Sequence, residues 1–388
     1  MRRRKTHVSL FELSFHHKYG CKLFIDNQLP STLLRTLGRP PDRHNAIYEA
    51  LVRRIVQGEF PPNSRLPTRR DLSLEFDASS RTVVSVLKEL AKVGFTESRG
   101  SLGTFIRKSP PHLHRHALII DWAGDPNIYV TALEKEAERL QREGLDLDVF
   151  HIGQDHKRTD IISKIGNLVR RHLYAGLIFH REPADLVGTA LIDTPNVPRV
   201  VLSKLMYNQD AKLPSKKPTK DLFMERAIER IHQWGRSRVG LFLHAFESKA
   251  VEVSMELLRA NKLETRSAWI HTIHLNLPRE AHAVMELLFS LPRENRPDVF
   301  IVENDNLTEM VTLGVRDFCP SRENLPIISH CNYPWQPKVY APVSWLGYDI
   351  REILRQAISM IEDERREGEA RHTKIQNLPR FEEELLQW

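Results

Sequence analysis

Ser79-Ser80-Arg81-Thr82-Val83-Val84-Ser85-Val86-Leu87-Lys88-Glu89-Leu90-Ala91-Lys92-Val93 decides how the rest of the chain is read. Val83, Val86, Leu87 and Leu90 recur at i, i+3, i+4 and i+7, so one face of a helix is apolar. Ser80, Arg81, Val84, Ser85 and Lys88 fall on the other face. Ser79 stands where an N-cap belongs, and the free N–H groups and positive helix end there also suit a phosphate. Short hydroxyls and one Arg on the first turn are groups that can approach base edges in a major groove. A plain surface helix has the same period, so the neighbouring residues must decide.

Upstream, Ile47, Leu51, Ile55 and Val56 predict a helix over 43–57, ended by Gly58 in a left-handed conformation. Pro61-Pro62-Asn63 then predicts a tight turn. Thr68 should cap a second helix over 69–76 with Leu72 and Phe76 inward. Downstream, Gly94 ends the quoted helix, and 95–107 predicts a two-stranded ribbon with Gly100-Ser101-Leu102-Gly103 at its tip. Three helices and a ribbon in so short a span make a winged helix-turn-helix.

The charge follows the same division. Residues 1–116 hold 21 Lys and Arg against 10 Asp and Glu, a net of +11; the remaining 272 hold 36 against 40, a net of −4. A basic module on a slightly acidic partner is the footprint of polyanion binding. No apolar run approaches the roughly 20 residues a bilayer requires, and no apolar stretch of signal-peptide type follows Arg2-Arg3-Arg4-Lys5. Cys21, Cys319 and Cys331 are too scattered for a disulfide framework, so a reducing, cytoplasmic setting is expected. Residues 1–42 show no sustained period and are expected to form an arm.

At this point a family resemblance becomes specific. Gln57-Gly58-Glu59-Phe60-Pro61-Pro62, Arg65-Leu66-Pro67-Thr68-Arg69-Arg70-Asp71-Leu72, Leu87-Lys88-Glu89-Leu90, Gly94-Phe95 and Gly103-Thr104-Phe105-Ile106 resemble the DNA-binding domain of the GntR family of bacterial repressors. The resemblance implies double-stranded operator DNA as a partner. By position it implies contacts from Arg70, from Ser79, Ser80, Arg81 and Thr82 at the start of the recognition helix, and from Arg99 and Gly100 at the wing. The chain departs from the family at Ser80 and Val84, where Arg is usual, so Arg81 is expected to do the reading. Asn63 and Asp77 replace the usual Gly, and both residue types tolerate the left-handed region.

Residues 109–116 are expected to form an exposed linker whose two prolines deny it helix. His112, His114 and His116 alternate there without an acidic or Cys companion, so no metal site is expected. Beyond it, short apolar runs alternate with amphipathic segments. Strands are predicted over 116–121, 146–152, 176–180, 199–203, 238–244, 268–273, 298–303 and 325–330. Helices are predicted over 129–143, 159–172, 220–234, 248–261, 280–291 and 307–318. That alternation predicts an α/β, doubly wound arrangement of parallel sheets in two lobes, with a ligand cleft outside the carboxyl ends of the strands.

Trp234-Gly235-Arg236-Ser237-Arg238-Val239-Gly240, the run from Arg296 to Asp305 and Leu325-Pro326-Ile327-Ile328-Ser329 resemble the effector domain of the LacI and galactose repressors, which is periplasmic-binding-protein-like. The resemblance implies a small-molecule effector, a sugar or derivative, over residues 117–365, with 366–388 as a tail. It implies effector contacts from Trp122, Asp305 and Lys249, and from Asn332, since Cys331 or Asn332 stands where the family has Asp; Arg181, at another strand end, is a candidate without motif support. A stacked Trp suits a sugar's C–H face, and a carboxylate can accept two hydroxyls. Core packing, a helix cap and a solvated lysine are the plainer roles for Trp122, Asp305 and Lys249. No GxGxxG, P-loop, GxSxG or HExxH signature occurs, so neither catalytic residues nor a cofactor is expected. A sequence-specific, ligand-regulated homodimer is the leading expectation. An α/β enzyme fused to a DNA-binding module and a ligand-independent architectural binder are the alternatives.

Overall fold

Helix α1 (Asp42–Val56) turns Ile47, Leu51 and Ile55 inward, as their spacing predicts. Helix α2 (Arg69–Glu75) buries Leu72, and α3 (Ser80–Lys92) buries Val83, Val86, Leu87 and Leu90. The turns between them use left-handed backbone at Gly58, Asn63, Asp77 and Gly94. Asn and Asp serve there because a short polar side chain relieves part of the left-handed penalty. Strands β1 (Thr96–Ser98) and β2 (Thr104–Ile106) pair antiparallel as the wing, with Glu97 opposite Phe105. Phe95 and Ile106 are fully buried and fasten the wing to the three helices. The computed structural model describes residues 42–122, 127–153, 157–203, 222–244, 250–319, 325–367 and 377–385. The N-terminal arm, up to residue 41, and Lys249 lie outside these.

The expected helix-free linker is in fact a one-turn helix, α4 (Pro111–His114). Pro111 is its first residue, where the missing N–H has no partner to lose and the fixed φ favours a start. Its histidines are not exposed linker residues either. His112 is buried and stacks on Phe95 at 5.7 Å, and His116 is fully buried in the next strand.

The first lobe is a four-stranded parallel sheet in the order β4-β3-β5-β6, from β3 (His116–Ile120), β4 (Leu147–His151), β5 (Gly176–Phe179) and β6 (Arg199–Val201). Helices α5 (Ile128–Arg142) and α6 (Arg158–Arg170) make its crossovers, and α7 (Ala190–Asp193) precedes β6. All five residues of β3 are buried. Ala117 and Ile119 face a core shared with the winged helix, whereas Leu118 and Ile120 face a second core. Burial on both faces is why these strands read as continuous apolar runs.

The second lobe is a six-stranded sheet, β12-β11-β10-β9-β7-β8. Strands β7 (Val239–His244), β8 (Ile270–Ile273), β9 (Val299–Val302) and β10 (Ile327–Tyr333) answer to sequence runs, and all pair parallel. Helices α8 (Leu222–Gln233), α9 (Ala250–Ala260), α10 (Arg279–Ser290) and α11 (Thr308–Phe318) cover them.

Four further elements at the C-terminal side extend the expected set. Strand β11 (Ser344–Asp349) pairs parallel with β10, and helix α12 (Ile350–Glu367) then crosses back to the first lobe. Its Ile353, Leu354, Ala357 and Ile361 share a core with Leu118, Ile120 and Leu133. The approach is so close that a Cβ on Gly176 would lie 2.6 Å from Ile361 Cγ2. Strand β12 (Arg380–Phe381) closes the second sheet antiparallel to β11 with Phe381 buried, and α13 (Glu382–Leu385) follows. The residues expected to form a C-terminal tail thus include part of the second lobe.

Candidate DNA interface and effector cleft

The start of α3 is built by side-chain capping. Ser79 Oγ accepts from the Thr82 N–H at 3.1 Å and lies 2.8 Å from Thr82 Oγ1. The expected contacts Ser79 and Thr82 therefore spend hydroxyl capacity on each other and on the cap. Ser80 and Arg81 stand fully outward on the first turn. Helix α2 is fixed by a reciprocal capping box, with Asp71 N–H on Thr68 Oγ1 and Thr68 N–H on Asp71 Oδ2. This aims Arg69 and Arg70 outward on its first turn. Among the described residues, no carboxylate pairs with Arg69, Arg70 or Arg81. Exposed cations left unpaired beside a capped helix start suit a phosphate-lined groove.

The wing differs from expectation. Arg99 donates to Glu97 at 2.8 Å and lies over the Phe105 ring at 4.5 Å, so its charge is offset within the hairpin. Gly100 is exposed with φ +58°, at the tip beside Leu102.

The expected effector site starts, on the first lobe, at the end of β3. Asp121 is buried and holds two arginines, Arg158 Nη1 at 2.6 Å and Arg181 Nη2 at 2.9 Å. Arg181 also donates from Nε to the Asp121 carbonyl. Two of its donor nitrogens are thus committed to shaping the strand end rather than to a ligand. His180 Nδ1 accepts from the Asp121 N–H, and burial pushes its pKa down to about 4, so the ring is neutral with its proton on Nε2. Trp122 is half-buried against the core beneath α5.

Opposite, Asp305 follows β9 and is buried. Asn332 Nδ2 donates to Asp305 Oδ2 at 2.7 Å, and His330 Nδ1 stands 3.9 Å from the same oxygen. The residue that replaces the family's aspartate on β10 therefore serves the expected hydroxyl acceptor directly. Asn332 Oδ1 is buried and has no hydrogen-bond partner among the described residues. The next residue, Asn306, reaches across the lobes, where its Oδ1 accepts from the Ile128 N–H at 3.0 Å and caps α5. Sequence reasoning did not single out Asp121 and Arg158, which pair within the first lobe, or Asn306, whose contact with Ile128 exists only once the two lobes meet.

A third cluster joins the winged helix to the first lobe. Arg171, at the end of α6, lies 4.1 Å over the Tyr48 ring of α1 and pairs with Glu89 on the inner side of α3. His44 Nε2 approaches Glu89 from the other side at 3.4 Å. Burial pushes the Tyr48 pKa up to about 12, so its ring stays neutral under the guanidinium. Among the described residues no group of three or more His, Cys, Asp or Glu gathers to hold a metal, and no helix is long and apolar enough to cross a membrane.

Residues 43–106 match the family described as bacterial regulatory proteins, gntR family. This segment is a GntR-family domain. The GntR domain is about one sixth of the chain, and the relatives differ in what else they share with it. A probable rhizopine catabolism regulatory protein, MocR, of Rhizobium meliloti is 27% identical over 129 residues, which are 33% of this chain and 26% of that protein. The chain therefore spans only about a quarter of that relative's length. An arabinose metabolism transcriptional repressor of Geobacillus stearothermophilus is 23% identical over 288 residues, 68% of this chain and 74% of that one. Beyond the GntR domain, the fold matches a LacI family transcriptional regulator from Lactobacillus casei solved with bound sucrose. That match has a TM-score of 0.51 at 14% identity, covering 69% of this chain and 98% of that one. The two parallel lobes thus have the fold of LacI-type regulators.

Proposed function

We propose that this chain is a transcription regulator that binds operator DNA through its GntR domain and releases it when a small polyhydroxylated metabolite fills the cleft. The observation that carries the DNA half is the first turn of α3, where Ser80 and Arg81 stand outward and unpaired, with Arg70 on the neighbouring helix. In this reading Arg81 and Ser80 read base edges and Arg70 takes a phosphate. Ser79 and Thr82 hold the turn and offer their backbone end to the DNA, and Gly100 brings the wing close.

Asp305 and Asn332 supply the floor of the effector site, where the unused Asn332 Oδ1 is an acceptor for a hydroxyl. Trp122 offers a ring face from the opposite lobe. Lys249 and the remaining donor of Arg181 are the further expected contacts. The arabinose-related relative and the sucrose-bound LacI-type structure make pentoses and small sugars the first ligands to test. A homodimer is proposed because paired half-sites about one helical turn apart supply the surface that one winged helix lacks. Sedimentation of a monomer at micromolar concentration, on and off DNA, would count against it.

The deciding experiment pairs a thermal-shift screen of sugars with operator binding by Asp305→Ala. The variant should bind DNA as the parent does and lose the ligand response. Lost DNA binding would point to a structural role for Asp305, and an intact ligand response would move the effector site elsewhere. A parent protein that binds DNA but answers to no ligand would favour the architectural reading.

A further inference from the structure

The positive charge available at the wing comes from a residue outside the hairpin. Arg65 bridges antiparallel to Phe105. Around it, Leu66 N–H donates to Thr104 O at 2.9 Å, Ile106 N–H to Ser64 O at 2.9 Å and Asn63 N–H to Ile106 O at 3.1 Å. Residues 63–66 therefore run along β2 as a third strand, anchored by the buried side chain of Leu66. The Arg65 side chain lies across Gly103, where an added Cβ would sit 3.1 Å from its Nε and 3.4 Å from its Nη2. Gly103 has φ +106°, so a glycine both permits the turn and leaves a flat seat for the guanidinium.

Arg65 is exposed and, among the described residues, forms no ion pair within 4 Å; the Asp71 carboxylate feels its charge only at longer range. Arg99 is the opposite case: Glu97 neutralises it and Phe105 covers one face. Three residues after Arg65 the chain enters the Thr68 cap, which presents Arg69 and Arg70. Three guanidinium groups with no close ion pair among the described residues thus follow one edge from the wing to α2. A guanidinium fork matches phosphate oxygens two at a time, and only a cation not already neutralised releases counterions when it meets the DNA backbone.

We propose that Arg65, rather than Arg99, is the wing's phosphate contact, and that its seat on Gly103 sets how deeply the wing enters the groove. The inference rests on the DNA-binding reading above. Its test measures binding of the full-length protein to a duplex selected by the parent from a random pool, and to unselected duplex, by fluorescence anisotropy over a range of salt. Arg65→Gln should weaken both duplexes by the same factor and lower the slope of log affinity against log salt by about 1. Arg99→Gln should leave the slope unchanged. An Arg65→Gln protein with the parental affinity and slope overturns the proposal, as does a slope lost in Arg99→Gln instead. Should Arg65→Gln melt early, Arg65→Lys decides, because retained charge must retain the slope. A parent that shows no salt-dependent binding would instead sink the DNA-binding reading itself.

Discussion

Arg81 is the one long cation on the outward face of α3's first turn, where the family usually presents more. If it reads a base edge, Arg81→Ala should cost about 1–3 kcal/mol on the selected duplex and relax sequence preference at one position. Equal weakening of selected and random duplex would make it a phosphate contact. A second consequence at this scale concerns buried imidazoles. Burial lowers the pKa of His112 to about 3 and those of His116 and His172 to about 4. The unfolded chain binds these protons near the ordinary value of about 6.5, so it takes up protons that the folded chain refuses. Their contribution is intact above that value, and stability falls as pH drops from about 6.5 towards about 4, by up to about 1.4 kcal/mol per unit for each histidine. His116 is fully buried and neither ring nitrogen has a partner. His116→Leu should therefore flatten the acid side of the melting-temperature profile, measured between pH 7.5 and 5. An unchanged profile would place the acid sensitivity elsewhere.

Among elements, the junction of α6 with the winged helix gives the clearest route between the two halves. A shift at the end of α6 moves Arg171, and Arg171 holds Glu89 on the recognition helix and Tyr48 on α1. Besides the linker, this side-chain contact ties the first lobe to the helix that would read DNA. Arg171→Ala should leave DNA binding by the ligand-free protein within a few-fold of the parent and shrink the ligand-induced change. Titrating DNA with and without saturating ligand measures both, and a full ligand response in the variant would exclude this contact as the route. The elements themselves were legible where one period dominated. The helix of Val83, Val86, Leu87 and Leu90 and the apolar runs of β3, β7 and β9 answer to simple rules. Helix α12 had an equally plain pattern in Ile350, Ile353, Leu354, Ala357, Ile358 and Ile361, but it stood past the strands that carried the family resemblance. Strand β12 is two residues long and carries no period to read. The pairing of Asn332 with Asp305 and of Asn306 with Ile128 depends on which chain ends meet, and no local pattern encodes that.

For the whole molecule, the return of α12 to the first lobe has a consequence for how the protein is made. The winged helix has all three helices and both wing strands by residue 106, early in synthesis, although its core is later continuous with one face of the first lobe. The first lobe cannot do the same. All four of its strands are finished by Val201, yet the face holding Leu118, Ile120 and Leu133 stays open until Ile353, Leu354 and Ile361 leave the ribosome, about 150 residues later. At roughly 5–20 residues per second, that interval is about 8–30 s during which an apolar face waits uncovered. A chain ending at residue 349 and released from the ribosome should therefore show a protease-resistant winged helix beside a digestible first lobe, whereas one ending past residue 367 should protect both. Equal resistance at the two lengths would mean that another segment shelters the lobe in the meantime. The last long helix of the chain thus times the maturation of a unit that begins at residue 116, and the growing polypeptide depends on outside shelter until that helix arrives.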